Sequence, residues 1–150
     1  MKTTYLETIL LIERLHRRFL DVVKSHLDRM KIEDINNVQT LILYNIGDDK
    51  LTIGELTNRG YYLGTNVSYN VKNLVENGYL IQEKAPHDKR STRVCVSEKG
   101  QKLCGMMEDL FSRNVEELVK ISPELKFLKE ANSAMHQLER YWTEYVNRLY

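Results

Sequence analysis

Between Thr65 and Asn73 the chain carries Thr65, Asn66, Ser68, Tyr69, Lys72 and Asn73, with no acidic residue among them. Amide side chains can pair with adenine edges, while hydroxyl and ammonium groups hold phosphate oxygens. Shortly afterwards, the stretch from Lys84 to Arg93 sets Lys84, Lys89, Arg90 and Arg93 against the single acid Asp88. An arginine at the tip of a protruding loop is drawn into the negative potential of a narrow minor groove. Either feature alone has a plainer reading, as a solvated helix face or a soluble loop. In succession they suit a helix lying in a major groove beside a cationic finger.

The overall composition neither supports nor opposes this chemistry. A chain of 150 residues with 42% hydrophobic and 29% charged content can form one globular domain with a sizeable core. Its formal net charge of +1 is not that of a protein coated in nucleic acid, so the argument rests on where the charges lie. From Thr52 to Gly100, seven cations (Arg59, Lys72, Lys84, Lys89, Arg90, Arg93, Lys99) face five acids. The apolar run Ile9 to Ile12 is closely followed by Glu13, Arg14, Arg17 and Arg18, which rules it out as a membrane span or signal-peptide core. A soluble, cytoplasmic protein is expected, with no membrane partner. Cys95 and Cys104 are too few for a disulfide scaffold or a zinc site and are expected to be reduced thiols. His16, His26, His87 and His136 are dispersed, and neither a glycine-rich phosphate loop nor a nucleophile elbow occurs. Neither an enzyme nor a bound cofactor or metal is expected.

The elements that would position the polar face follow from periodicity and punctuation. Ile9, Ile12, His16, Phe19, Val23, His26 and Met30 recur at steps of three and four, which predicts a long amphipathic helix from about Tyr5 to Met30. Asn36 with Gln39, and Thr52 with Glu55, form capping-box patterns that open two shorter helices, with Gly47 and Gly60 at their ends. After the link Tyr61-Tyr62-Leu63-Gly64, the stripe Val67, Val71, Leu74, Val75 predicts a fourth helix closed by Gly78. Tyr79-Leu80-Ile81 and Val94-Cys95-Val96 read as two short strands of a hairpin around the polar segment Lys84 to Arg93. Ser97 opens a helix reaching about Lys120, and Pro123 starts a last one with Leu125, Leu128, Met135, Leu138, Trp142, Tyr145 and Leu149 in a broad stripe. The fold class is therefore mainly α with a small β-hairpin.

Particular residues carry a resemblance to a known family over nearly the whole chain. They are Asp34-Ile35-Asn36 with Gln39 and Leu43, Thr52 with Glu55-Leu56, Val67-Ser68, and Leu74-Val75-Glu76-Asn77-Gly78-Tyr79. They continue with His87-Asp88-Lys89-Arg90-Ser91, Val94, Ser97-Glu98-Lys99-Gly100 and Leu103. The sequence resembles the MarR family of bacterial regulators, the Asp-x-Arg wing tip followed by a strand and a Ser/Thr-x-x-Gly helix start being its specific part. The stretch Arg59 to Asn70 looks like an alphaproteobacterial subgroup that controls an L,D-transpeptidase and cell-envelope genes. The resemblance implies a homodimer with a winged helix-turn-helix core at about residues 34–100 and dimerisation helices at about 1–33 and 101–150. It implies that the helix from Thr65 enters the major groove, that Arg90 enters the minor groove, and that Asp88 orients the wing's arginines. The turn Tyr61 to Asn66 departs from the family, so base preferences do not carry over.

Apolar positions at both chain ends, Leu6, Ile9, Ile12, Phe19, Trp142, Tyr145, Leu149 and Tyr150, would leave a large exposed patch on a monomer and predict a twofold dimer. Two recognition helices roughly one DNA turn apart, about 34–36 Å, then predict a pseudo-palindromic double-stranded operator. The resemblance also implies a pocket for a small aromatic or phenolic effector between the dimerisation helices and the core. His16, Phe19, Thr40, Tyr44 and Met106 are candidate lining residues, although each also reads as ordinary core. Two other functions fit the same sequence. One is a redox-responsive regulator using Cys95, near Arg93, or Cys104. The other is a winged-helix protein-interaction module without DNA binding.

Overall fold

Helices form where apolar residues recur at helical spacing, and several stop for an identifiable reason. The structure is a computed structural model that describes residues 1–59 and 64–150. Helix α1 (Lys2–Arg29) ends in a Schellman turn, with Lys31 left-handed at φ 56° and the N–H of Ile32 donating to the Leu27 carbonyl at 3.0 Å. Helix α2 (Asn37–Ile46) is opened by the expected capping box. The Asn36 Oδ1 accepts the Gln39 N–H at 2.8 Å, and Gln39 Oε1 accepts the Asn36 N–H at 3.1 Å. Gly47, at φ 56°, closes it. Thr52 and Glu55 make the same reciprocal pair at the start of α3 (Ile53–Asn58). Helix α4 runs Gly64–Glu76, and Gly78, at φ 80°, terminates it as the second Schellman turn. The Gly60 stop and the Tyr61–Leu63 link fall outside the described residues.

The chain divides into two compact units, Met1–Glu108 and Asp109–Tyr150. In the first, Val23 and Leu27 of α1, Ile42, Leu43 and Ile46 of α2, Leu56 of α3, and Val67, Val71 and Leu74 of α4 are buried in one core. The sheet residues Leu80, Val94 and Val96, with Leu103 and Met107 further along the chain, complete it. The second holds the distal part of α5 (Glu98–Ile121) and α6 (Lys126–Leu149), which has no buried residue. The last helix starts three residues after Pro123, because Ser122–Leu125 forms a turn in which the Leu125 N–H reaches the Ser122 carbonyl at 2.9 Å.

The β region is larger than the periodicity predicts. Strand β1 (Leu51–Thr52), β2 (Leu80–Ala85) and β3 (Asp88–Val96) form an antiparallel sheet in the order β1-β3-β2. Most of the polar segment Lys84 to Arg93 is thus strand rather than loop, with only Pro86 and His87 between β2 and β3. Cross-strand pairs such as Lys84 with Thr92 and Glu83 with Arg93 extend the ladder into residues too polar to signal it. Two-residue β1, with Leu51 opposite Val94 and Thr52 opposite Arg93, is too short to show an alternation of its own. Among the described residues, no helix is long and apolar enough to cross a membrane.

The joint between hairpin and α5 is closely packed. Ser97 Oγ accepts the Gly100 N–H at 3.1 Å, capping α5, and donates to the Gly78 carbonyl at 2.5 Å. A Cβ added at Gly100 would lie 2.4 Å from the Tyr79 carbonyl oxygen and 2.7 Å from Val96 Cγ1. Relief requires moving backbone as well as a side chain. Gly100→Ala is therefore expected to destabilise the fold by about 1–3 kcal/mol, read as a lower urea midpoint with an unchanged slope.

Candidate nucleic-acid interface

Helix α4 owes its orientation to its apolar stripe. Val67, Val71 and Leu74 are at most 1% exposed, and α4 packs against α2, α3 and β2. Its opposite side is turned to solvent, where Asn66, Ser68, Tyr69 and Lys72 are exposed and Asn73 is half-buried. Tyr69 is 67% exposed, unusual for so large a ring and suited to a partner surface. Lys72 lies 4.0 Å from Glu76 one turn on, a loose pair that leaves its ammonium available. The side chain of Thr65 lies outside the described residues.

At the hairpin tip, Asp88 acts on the backbone. Its Oδ1 accepts the Arg90 N–H at 2.9 Å and its Oδ2 accepts the Ser91 hydroxyl at 3.1 Å. Such Asx-type bonding holds a turn rigid. A register shift between Lys84 and Ala85 bends the strand just before it. Arg90 is exposed there, whereas Ser91 is half-buried. Arg93 belongs to a different environment, half-buried in the central strand between Glu83 and Thr52. Lys50 pairs with Glu83 at 3.0 Å at this sheet base. The side chain of Lys89 lies outside the described residues.

One polar cluster ties the hairpin root to the helices. Asp34, in the α1–α2 linker, accepts the Tyr79 hydroxyl at 2.5 Å on Oδ1 and the Lys99 ammonium at 2.6 Å on Oδ2. Lys99 Nζ also donates to the Asn77 carbonyl at 2.8 Å and sits 4.3 Å from the Tyr79 ring centre. The Asn77 amide closes the ring on the Asp34 carbonyl at 2.9 Å. Burial pushes the Asp34 carboxyl up, but the hydrogen bonds from Lys99 and Tyr79, with the Lys99 charge, hold it below the usual carboxylate range. Burial, and then the bond to Asp34, push the Tyr79 phenol well above its ordinary value. The sequence contained all four residues as motif members but no sign that they meet.

The five candidate effector residues occupy the following surroundings. Met106 lines a groove of about 480 Å³ with residues that include Ile32, Asp34, Tyr79, Lys99 and Leu103. His16, Phe19, Thr40 and Tyr44 do not line it. Thr40 is 1% exposed and donates its hydroxyl to the Asn36 carbonyl at 2.8 Å. Tyr44 donates to Glu108, and that bond, with burial, pushes its phenol up to about 12. His16 is exposed on α1. Of the two half-buried thiols, burial pushes that of Cys104 up, which disfavours the thiolate form that oxidation sensing uses. Among the described residues, no group of three or more His, Cys, Asp or Glu is placed to hold a metal ion.

Leu6, Tyr145 and Leu149 are exposed, while Ile9, Ile12 and Trp142 are half-buried. The α1 surface is more apolar than the sequence stripe implies, because Leu10, Leu11, Leu15 and Val22 are exposed as well. An apolar residue scores as core in a periodicity count whichever side it faces, so the extra surface was not separable beforehand.

A short helix, a connection and a second helix bearing a solvent-facing polar side, followed by a three-stranded sheet with a protruding hairpin, define a winged helix-turn-helix protein. A sequence profile of the MarR family matches residues 33–91. The chain is 34% identical over 139 residues to the exopolysaccharide II synthesis transcriptional activator ExpG of Rhizobium meliloti strain 1021, covering 93% of this chain and 72% of that one. It belongs to the MarR family of transcriptional regulators. Among solved structures, Streptococcus pneumoniae FabT in complex with DNA superposes with a TM-score of 0.76 at 15% identity, covering 89% of this chain and 96% of that one. Staphylococcus aureus MarR in complex with salicylate and kanamycin superposes with a TM-score of 0.75 at 20% identity, covering 95% and 94%.

The Asp34 cluster makes a pH-dependent contribution to stability. A carboxyl whose folded pKa is depressed stabilises above its unfolded value, near 3.8, and that stabilisation disappears as pH falls through the folded value. The Asp34 side chain is 46% exposed, so solvent screening limits the effect to roughly 0.5–1 kcal/mol. Asp34→Asn is expected to lower the urea midpoint at pH 7, and the gap from the parent protein to close as the pH is taken below about 4.

Proposed function

We propose that the protein is a homodimeric regulator that binds a pseudo-palindromic double-stranded operator, with α4 in the major groove and the β2–β3 tip in the minor groove. The observation that carries this reading is the pairing, within one unit, of an exposed α4 face that bears no acid between Asn66 and Asn73 with a rigid turn that displays Arg90. Asn66 is assigned to base reading, and Thr65, Ser68, Tyr69, Lys72 and Asn73 to phosphate or base edges. Lys89, Arg90 and Ser91 serve the wing, Asp88 holds its tip, and Arg93 supports it from the sheet. DNA complexes of family members, such as that of FabT, support the assignment.

Dimerisation is assigned to α1 and α6. Leu10 at 57% and Leu149 at 62% exposure belong to apolar faces that a second copy would cover. The complex of Staphylococcus aureus MarR with salicylate supports a small aromatic effector for this chain too. The relative ExpG, an activator of exopolysaccharide II synthesis, favours polysaccharide-synthesis promoters as targets.

Arg90→Ala is expected to weaken binding to the operator recovered by footprinting by about 1–3 kcal/mol at fixed salt without changing the melting temperature. An unchanged dissociation constant removes Arg90 from the minor groove. Sedimentation should give twice the 17.7 kDa protomer mass, and Leu10→Asp should shift it toward one. Affinity that is indifferent to salt would leave the protein-interaction reading standing instead.

A further inference from the structure

We propose that Asn70, held by Gln39, is a positioning residue that sets the base preference of α4 without itself touching DNA. The proposal rests on the DNA-reading role assigned to α4 above. Asn70 lies on the edge between the apolar stripe and the exposed face, and is half-buried. Its Oδ1 accepts the Gln39 Nε2 at 3.2 Å, and its own Nδ2 donates to the Asn66 carbonyl at 2.8 Å. Both ends of the amide are therefore engaged by other groups of the chain, and Asn70 is half-buried where Asn66 is exposed.

Gln39 is equally committed. It is 6% exposed, and its Oε1 accepts the Asn36 N–H in the capping box of α2 while its Nε2 faces Asn70. Two side-chain amides thus link the start of α2 to the first turns of α4, ending on the backbone of the residue assigned to base reading. Asn37, the first residue of α2, anchors the same corner by donating to the Leu20 carbonyl of α1 at 3.2 Å. The apolar stripe fixes which side of α4 faces inward, but apolar packing is not directional. A hydrogen bond at a set distance and angle adds the directional constraint that rotation or sliding of a helix would break. Base-edge pairing needs such accuracy, whereas phosphate contacts tolerate more movement.

The test is selection of binding sites from a pool of random DNA duplexes by the full-length protein, Asn70→Ala and Gln39→Glu, with affinity for the selected motif and for random duplex measured across salt. Gln39→Glu keeps an oxygen to accept the Asn36 N–H but removes the donor to Asn70, so Asn70 must turn its NH2 toward Glu and release Asn66. Both variants are expected to lose about tenfold in preference for the motif over random duplex, roughly the worth of one hydrogen bond, with the salt slope unchanged. The double variant should lose no more than Asn70→Ala alone. Thermal melting confirms folding, and Gln39→Glu carries the test if Asn70→Ala unfolds. The proposal is overturned if either folded variant selects the parent motif with the parent preference, or if affinity falls equally for all DNA. If the parent protein itself selects no motif, the base-reading role of α4 falls, and this proposal falls with it.

Discussion

A helix presented to a partner has to be held by its other side, and in this protein that constraint governs the rest of the first unit. Val67, Val71 and Leu74 take the inner side of α4 out of water, where each buried branched side chain contributes on the order of 1.5–3 kcal/mol. That burial needs a surface to pack against, which α2, α3 and β2 supply. Because the stripe recurs at helical spacing, committing it to the core commits Asn66, Ser68, Tyr69 and Lys72 to solvent. The lack of acid between Asn66 and Asn73 is then a property of the protein surface and no longer only of the chain.

The hairpin is held by a different kind of interaction. Its root is tied by directional polar bonds between Asp34, Tyr79, Asn77 and Lys99, which bring two Schellman turns and the start of α5 together. Polar bonding at this joint follows from the backbone there. Helix ends leave carbonyls and N–H groups without intrahelical partners, and three helix ends meet here. Ser97 shows the economy of the arrangement, since one hydroxyl caps α5 and also satisfies the carbonyl of Gly78. The missing side chain at Gly100 leaves room for the Tyr79 backbone and Val96 at this joint.

Membership of the MarR family accounts for the architecture, while the chemistry of the face remains particular to this chain. Solved relatives share the fold at 15–20% identity, a range in which surface residues diverge freely. The side chains on α4 therefore have to be read on their own terms. Apolar side chains are exposed on α1 and, separately, on α6, and these are the faces that the proposed second copy would cover.

Local chemistry was legible in the chain before any fold was known. The two capping boxes, the terminators Gly47 and Gly78, the long first helix, the stripe of α4 and the cationic tip all depend on neighbours within about four residues, so pattern alone determined them. Strand β1 and the extension of β2 and β3 through polar residues were not legible, because a strand acquires its hydrogen bonds from another segment. The same reason hid Asp34 beside Lys99, sixty-five positions away, and Gln39 beside Asn70. It also separates Arg90 at the tip from Arg93 in the sheet, residues that the sequence shows as near neighbours of one charge. Tertiary structure decided those contacts, since only folding sets the distance between residues remote in the chain.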